Sequence, residues 1–139
     1  MVYSRLHQYK PALEYHEKAL SIRKIVFQDQ KTHPDIADSC SNIALVSYNQ
    51  NDLKKALKYH KKALHIKEIV YGESHPETAD SYAGLAFAFK DLGDCKQALD
   101  HSKKAIDIYK TFYGPTHPKT SGIACLHNLL AQVCQLLGN

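Results

Sequence analysis

The sequence predicts an all-α protein, a solenoid of antiparallel helix pairs, and three observations predict it. His33-Pro34, His75-Pro76 and His117-Pro118 recur at a spacing of 42 residues, and a fixed period of this size marks stacked supersecondary units rather than one globular core. Within a unit the apolar residues follow the helical period: Ile36, Ala37, Cys40, Ile43 and Ala44 in one segment, then Leu53, Ala56, Leu57, Ala63, Leu64, Ile66 and Val70 in the next. Small residues recur in register, Ala44, Ala56 and Ala63 returning as Ala86, Ala98 and Ala105. A large side chain at those places would hold adjacent helices apart.

The elements follow in order. Residues 1–32 form a partial first repeat, mainly its second helix (helix B), with residues 1–9 as the end of a preceding helix A. Ala19 and Ala63 are 44 positions apart whereas Ala63 and Ala105 are 42 apart, so two extra residues lie in the connection before His33, where a loop absorbs them at little cost. Residues 33–74 form the second repeat. Its helix A opens at His33-Pro34, and Asn51-Asp52 suits a helix end followed by an N-cap for helix B. Residues 75–116 form the third, with Gly93-Asp94 in the same place. Ser74 and Glu77 fit a capping box around Pro76, Thr32 and Asp35 give a weaker version, and Lys119 breaks the pattern in the last copy. Residues 117–139 form helix A of a fourth repeat. Pro118 to Gly138 is 20 positions against 17 from Pro76 to Gly93, which assigns three added residues to Ser121-Gly122-Ile123. The chain is read as a single domain, 1–139.

The motifs Ser41-Asn42-Ile43-Ala44, Lys55-Ala56-Leu57, Lys62-Ala63-Leu64, Gln97-Ala98-Leu99 and Lys104-Ala105-Ile106 resemble the tetratricopeptide repeat. The 42-residue version, with its Gly-x-x-His-Pro connection, is similar to the repeats of kinesin light chains. The resemblance implies a right-handed superhelix whose concave groove is lined by A helices and binds a peptide segment of a partner. By register that lining is Asp38, Ser41, Asn42, Leu45, Tyr48 and Asn49, then Asp80, Ala83, Gly84, Phe87, Lys90 and Asp91, with Asn128 and Gln132 on the last helix. In the resembling family an Asn at the place of Asn42 binds the partner's main chain, and its amide can both donate and accept. Leu45 and Phe87 are equivalent positions that offer apolar pockets. Asp38 and Asp80 repeat a negative charge near one rim, and Lys or Arg are missing from the places where chaperone-binding members clamp a carboxylate. Two aspartates would repel such a ligand. The same feature argues against the kinesin-light-chain preference for tryptophan flanked by acidic residues, leaving a neutral or basic peptide with apolar anchors.

Composition and motifs bound the other classes. Apolar residues make up 44% of the 139 and the net charge is +4. Much of the excess lies in Lys54, Lys55, Lys58, Lys61, Lys62 and Lys67, which alternate with buried positions as a solvated outer face does. Nucleic-acid binding is disfavoured, because it needs a continuous basic surface. No apolar run of about 18 residues and no signal peptide is present, which points to a cytoplasmic protein without membrane insertion. Cys40, Cys95, Cys125 and Cys134 contain no Cys-x-x-Cys pair and occupy no equivalent positions, so neither a zinc site nor a disulfide framework is expected, and Cys40 and Cys134 are read as reduced core residues. His33, His75 and His117 belong to successive units. Packed helices lie about 8–10 Å apart whereas zinc bonds are about 2 Å long, so these histidines serve helix entry locally. His60 and His65 fall on different faces of one helix, and no catalytic motif is present. The sequence therefore describes a non-catalytic scaffold for protein or peptide binding, with no metal and no cofactor. The alternative is an oligomerisation or regulatory segment of a larger protein, self-associating through end-to-end stacking of its open ends.

Overall fold

The computed structural model describes residues 5–26 and 33–136, with side chains for residues 10–26 and 33–135. Six helices cover them: α1 (Arg5–Val26), α2 (Pro34–Asn49), α3 (Leu53–Tyr71), α4 (Pro76–Leu92), α5 (Cys95–Tyr113) and α6 (Pro118–Leu136). No strand occurs among the described residues. The extra residues before His33 and the Thr32 half of the first capping box fall in or against 27–32, outside the described residues, as does Gly138. The chain divides into two compact units, Met1–Val70 and Tyr71–Asn139.

In the first unit α1 packs on α2. Leu20, Ile36, Ala37, Cys40, Ile43, Ala63 and Ile66 form the core, with Leu13 and Tyr59 packed against it. Polar ties flank that core. Arg23 donates to the Asp35 carbonyl at 2.8 Å and to Ser39 Oγ at 2.6 Å, and Lys55 pairs with Glu17 at 2.9 Å. Residues 5–9 do not end a separate helix A. They run unbroken through Pro11 into α1. The reason is local: His7-Gln8 stands where the later repeats have Asn51-Asp52 and Gly93-Asp94, and it supplies neither a residue suited to a left-handed turn nor an N-capping side chain.

That punctuation does operate at the other two turns. Asn51 has φ 66° and Gly93 has φ 86°. In the first turn Asp52 N–H donates to the Ser47 carbonyl and Asn51 N–H to the Tyr48 carbonyl; in the second, Asp94 N–H donates to Phe89 and Gly93 N–H to Lys90. These paired bonds satisfy carbonyls that a helix end leaves open. Asp52 Oδ1 then accepts from Lys55 N–H at 3.3 Å and Asp94 Oδ1 from Gln97 N–H at 3.2 Å, capping α3 and α5. With turns this short, α2 and α3, and likewise α4 and α5, run antiparallel. The recurring alanines at 44, 56, 63, 86, 98 and 105 are all fully buried.

The His-Pro connections are a single device used three times. His33, His75 and His117 each accept through Nδ1 from the N–H two residues on, at 3.1, 3.0 and 3.1 Å. The cap of α4 is thus His75; the expected Ser74–Glu77 capping box does not form, and Ser74 is exposed. An imidazole acceptor one residue later already satisfies the Glu77 N–H. Tyr71 stacks on His75 at 4.7 Å and Tyr113 on His117 at 4.1 Å, while Gly72 and Gly114 take the positive φ between them.

In the second unit α5 packs against both α4 and α6. Helix α6 is continuous through Gly122, so Ser121-Gly122-Ile123 is not an irregular insertion. Thr120, Ile123 and Leu130 are buried, as are Thr78, Ser81 and Ala88 at the positions 42 earlier. The register therefore holds at the start of α6. Cys134, read from the sequence as a reduced core residue, is bonded to Cys95 with their Cα atoms 6.0 Å apart. The first residue of α5 meets the last turn of α6, a proximity that cysteine spacing along the chain does not display.

Candidate partner-binding faces

On α2, Asp38, Leu45 and Asn49 are exposed, and Ser41, Asn42 and Tyr48 are half-buried. Leu45 leaves 53% of its surface in water. Its neighbours Ile43, Ala44 and Ser47 are buried, so Leu45 belongs to the side of α2 turned away from the core.

On α4, Phe87 is 38% exposed. Lys90 holds its ammonium 5.4 Å from the Phe87 ring centre and 3.6 Å from the Asp91 carboxylate, placing a paired cation beside an apolar surface. Ala83, Gly84 and Lys90 are half-buried and Asp91 is exposed. Asp80 has an internal role: its Oδ1 accepts from the Tyr109 hydroxyl and, at 3.2 Å, from Lys119 Nζ. Burial, and then the hydrogen bond and charge of Asp80, push the Tyr109 phenol well above its ordinary range, which keeps it a donor. Lys119 also lies 5.8 Å from the Tyr109 ring centre and 6.0 Å from that of Tyr113. The negative charge at Asp80 is therefore compensated within the unit, unlike the bare rim charge that the sequence alone presents.

On α6, Asn128 and Gln132 are exposed. Between them Leu129 is 54% exposed, a residue that the sequence reading omitted. It stands 42 positions after Phe87, which itself stands 42 after Leu45. The signal was present, and the supposed insertion at 121–123 displaced it.

The basic run of α3 is not one surface. Lys54, Lys58, Lys61 and Lys62 are exposed as a solvated outer face requires, but Lys55 is paired with Glu17 and Lys67 is buried, which corrects that expectation at these two positions. Lys58 and Lys62 flank the Tyr59 ring at 5.7 and 5.0 Å. Among the histidines, His60 is buried with Nδ1 lacking a hydrogen-bond partner. Burial first, and then the charge of Lys67, lower its pKa to about 4. His101 Nδ1 lies 2.7 Å from the Gln97 carbonyl, and His127 Nδ1 lies 2.8 Å from Ser102 Oγ. Among the described residues, no group of three or more His, Cys, Asp or Glu side chains is arranged to hold a metal ion, and no helix is long and apolar enough to cross a membrane.

Comparison with known proteins agrees with this architecture. Tetratricopeptide repeat models match residues 35–111 and residues 1–35. No curated protein matches the chain at a significant level. Among solved structures, the kinesin light chain TPR-like repeats of Podosopora anserina superpose with a TM-score of 0.81 at 20% identity, covering 98% of this chain and 62% of that one. BtubC (BKLC) of P. vanneervenii superposes with a TM-score of 0.71 at 18% identity, covering 92% of this chain and 54% of that one. The chain thus spans less than two thirds of either relative. The matched models, the 42-residue period and the helix pairs agree: this chain belongs to the tetratricopeptide repeat family, and its fold is that of kinesin-light-chain-type repeats.

Proposed function

We propose that the chain is a non-catalytic, cytoplasmic protein-interaction module of four repeat segments (1–32, 33–74, 75–116 and 117–139), the last three presenting their A helices α2, α4 and α6 to a peptide segment of a partner. Tetratricopeptide repeats in general mediate protein–protein contacts, and one observation carries the finer reading. Leu45, Phe87 and Leu129 recur at 42 residues and remain 53%, 38% and 54% exposed, although most large apolar side chains of α2, α4 and α6 are buried. An exposed apolar residue repeated at one register position suits a ligand that meets each helix in the same way. Asn42 and Asn49 beside Leu45, and Lys90 and Asp91 beside Phe87, supply polar partners for the ligand's main chain. With Asp38 exposed and Asp80 compensated by Lys119, the ligand expected is a neutral or basic segment with apolar anchors.

Selection from a displayed random-peptide library tests this. The wild-type chain should enrich peptides with spaced apolar residues and few carboxylates. Phe87→Ala or Leu45→Ala should weaken a selected peptide roughly tenfold or more, the loss expected from one buried large side chain, with the helical circular dichroism unchanged. Enrichment of acidic peptides, or affinity indifferent to both substitutions, would refute the reading.

The second reading is self-association, and the exposed face of α1 favours it. Tyr15, Ile22, Ile25 and Val26 are 69%, 60%, 71% and 66% exposed, a concentration of apolar surface at one helix. Light scattering across a hundredfold concentration range should show a rising mass if this face pairs with a second copy, and a constant monomer mass rejects it.

A further inference from the structure

Cys95 is the first residue of α5 and Cys134 lies in the last turn of α6. Their Cα separation of 6.0 Å is one that a disulfide spans without moving the backbone. Both side chains are buried, at 8% and 5% exposure, yet both line a cleft of about 790 Å³ together with Leu92, Gly93, Asp94, Lys96 and Leu99. The cleft is a route by which a small thiol or disulfide reaches sulfurs that packing otherwise covers. Cys95 Sγ also lies 3.3 Å from the Leu130 carbonyl oxygen, an acceptor suited to the S–H of a reduced cysteine.

The bond occupies one end of a helix that is tied at three levels. Lys119 reaches Asp80 near the start of α6, His127 meets Ser102 in its middle, and Cys134 meets Cys95 at its end. The other two cysteines do not compete equally for oxidation. Cys40 is buried, and desolvation raises its thiol pKa despite the nearby Lys62 and Lys24; Cys125 is exposed with no bonded partner among the described residues.

We propose that Cys95 and Cys134 form a reversible redox switch, in which a low-molecular-weight disulfide of the glutathione class fastens the end of α6 to the start of α5 and a thiol releases it. Cys95, the first residue of α5 with its side chain on the cleft, is placed to meet the small disulfide first. Its thiolate displaces one thiolate from the small disulfide, giving a mixed disulfide. The Cys134 thiolate then attacks the Cys95 sulfur and expels the second. Two protein thiols become one disulfide, one small disulfide becomes two thiols, and the two protein protons end on the released thiols.

The test equilibrates the chain in glutathione buffers of stepped oxidised-to-reduced ratio, traps free thiols with N-ethylmaleimide after acid quench and denaturation, and reads mass, peptide map and hydrogen exchange. The expected result is a reversible change from four trapped cysteines to two, a linked Cys95–Cys134 peptide, and at least tenfold slower amide exchange over 130–136 in the oxidised form. Cys134→Ser should exchange like the reduced wild type in every buffer, and Cys95→Ser gives the same comparison if that variant fails to fold. Four trapped cysteines in the most oxidising buffer, an adduct at Cys125 alone, or exchange over 130–136 equal in both states would overturn the proposal. So would exchange in a folded Cys134→Ser or Cys95→Ser chain that still follows the buffer.

Discussion

His60 shows how one buried side chain can set a pH response. Burial and the neighbouring Lys67 hold its pKa at about 4 against an ordinary 6.5, so the folded chain resists the proton that the unfolded chain accepts. Between those values the unfolded state binds more protons, and stability therefore rises with pH. The contribution is complete above about pH 6.5 and is lost as the pH falls toward 4, amounting to roughly 3 kcal/mol at 1.36 kcal/mol per pKa unit. Urea unfolding at stepped pH should show this fall in the wild type and a flatter curve in His60→Leu; superimposable slopes would mean that carboxylates carry the whole dependence. The sequence places His60 on a helix and no more. Its burial depends on tertiary packing around α3, which helical periodicity read over one segment does not rank. Asp80 is a similar case: its register position is legible, but its engagement by Tyr109 and Lys119 joins residues 29 and 39 positions away.

At the level of helices, the punctuation is written plainly in the chain. Pro34, Pro76 and Pro118 open α2, α4 and α6, with His33 and His75 before the first two held extended, as an X-Pro step favours. Asp52 and Asp94 cap as their residue type and place require. The error at Ser74 came from applying the commoner serine cap where an imidazole does the same work one residue on. His75→Ala should therefore destabilise the second unit by about 1 kcal/mol, the usual cost of a lost N-cap, while His75→Asp should restore most of it. Thermal melts of the three chains check the order. Equal loss in both variants would assign the His75 contribution to its stacking between Tyr71 and Phe112, which lie 4.7 and 5.7 Å from its ring. Pro11 and Gly122 mark the limit of reading breakers literally. Both lie inside helices, and Gly122 is on an exposed surface, where glycine costs only about 1 kcal/mol relative to alanine.

The molecule as a whole is a sum of local associations, and its stability should divide accordingly. The Cys95–Cys134 bond closes a loop spanning 39 positions, which corresponds to about 4 kcal/mol of unfolded-state entropy at 25 °C. Reduction should lower the protection of Tyr71–Asn139 and leave Met1–Val70 nearly unchanged; hydrogen exchange followed by mass spectrometry in the presence and absence of dithiothreitol separates the two. A uniform loss across both units would instead mean one cooperative fold. The 42-residue period was legible because it repeats, and Leu45 and Phe87 were legible for the same reason, whereas Leu129 was missed once an insertion was placed at 121–123. The disulfide was not, because it joins non-equivalent positions and appears once.

The turns at Asn51-Asp52 and Gly93-Asp94 close one helix and begin the next with the same pair of backbone hydrogen bonds and the same carboxylate cap. These two turns are therefore interchangeable. An in-frame recombination joining Gln50 to Gly93 would remove one whole period while leaving both helix ends properly terminated. A chain built on such turns can therefore lengthen or shorten by whole modules without a new kind of connection.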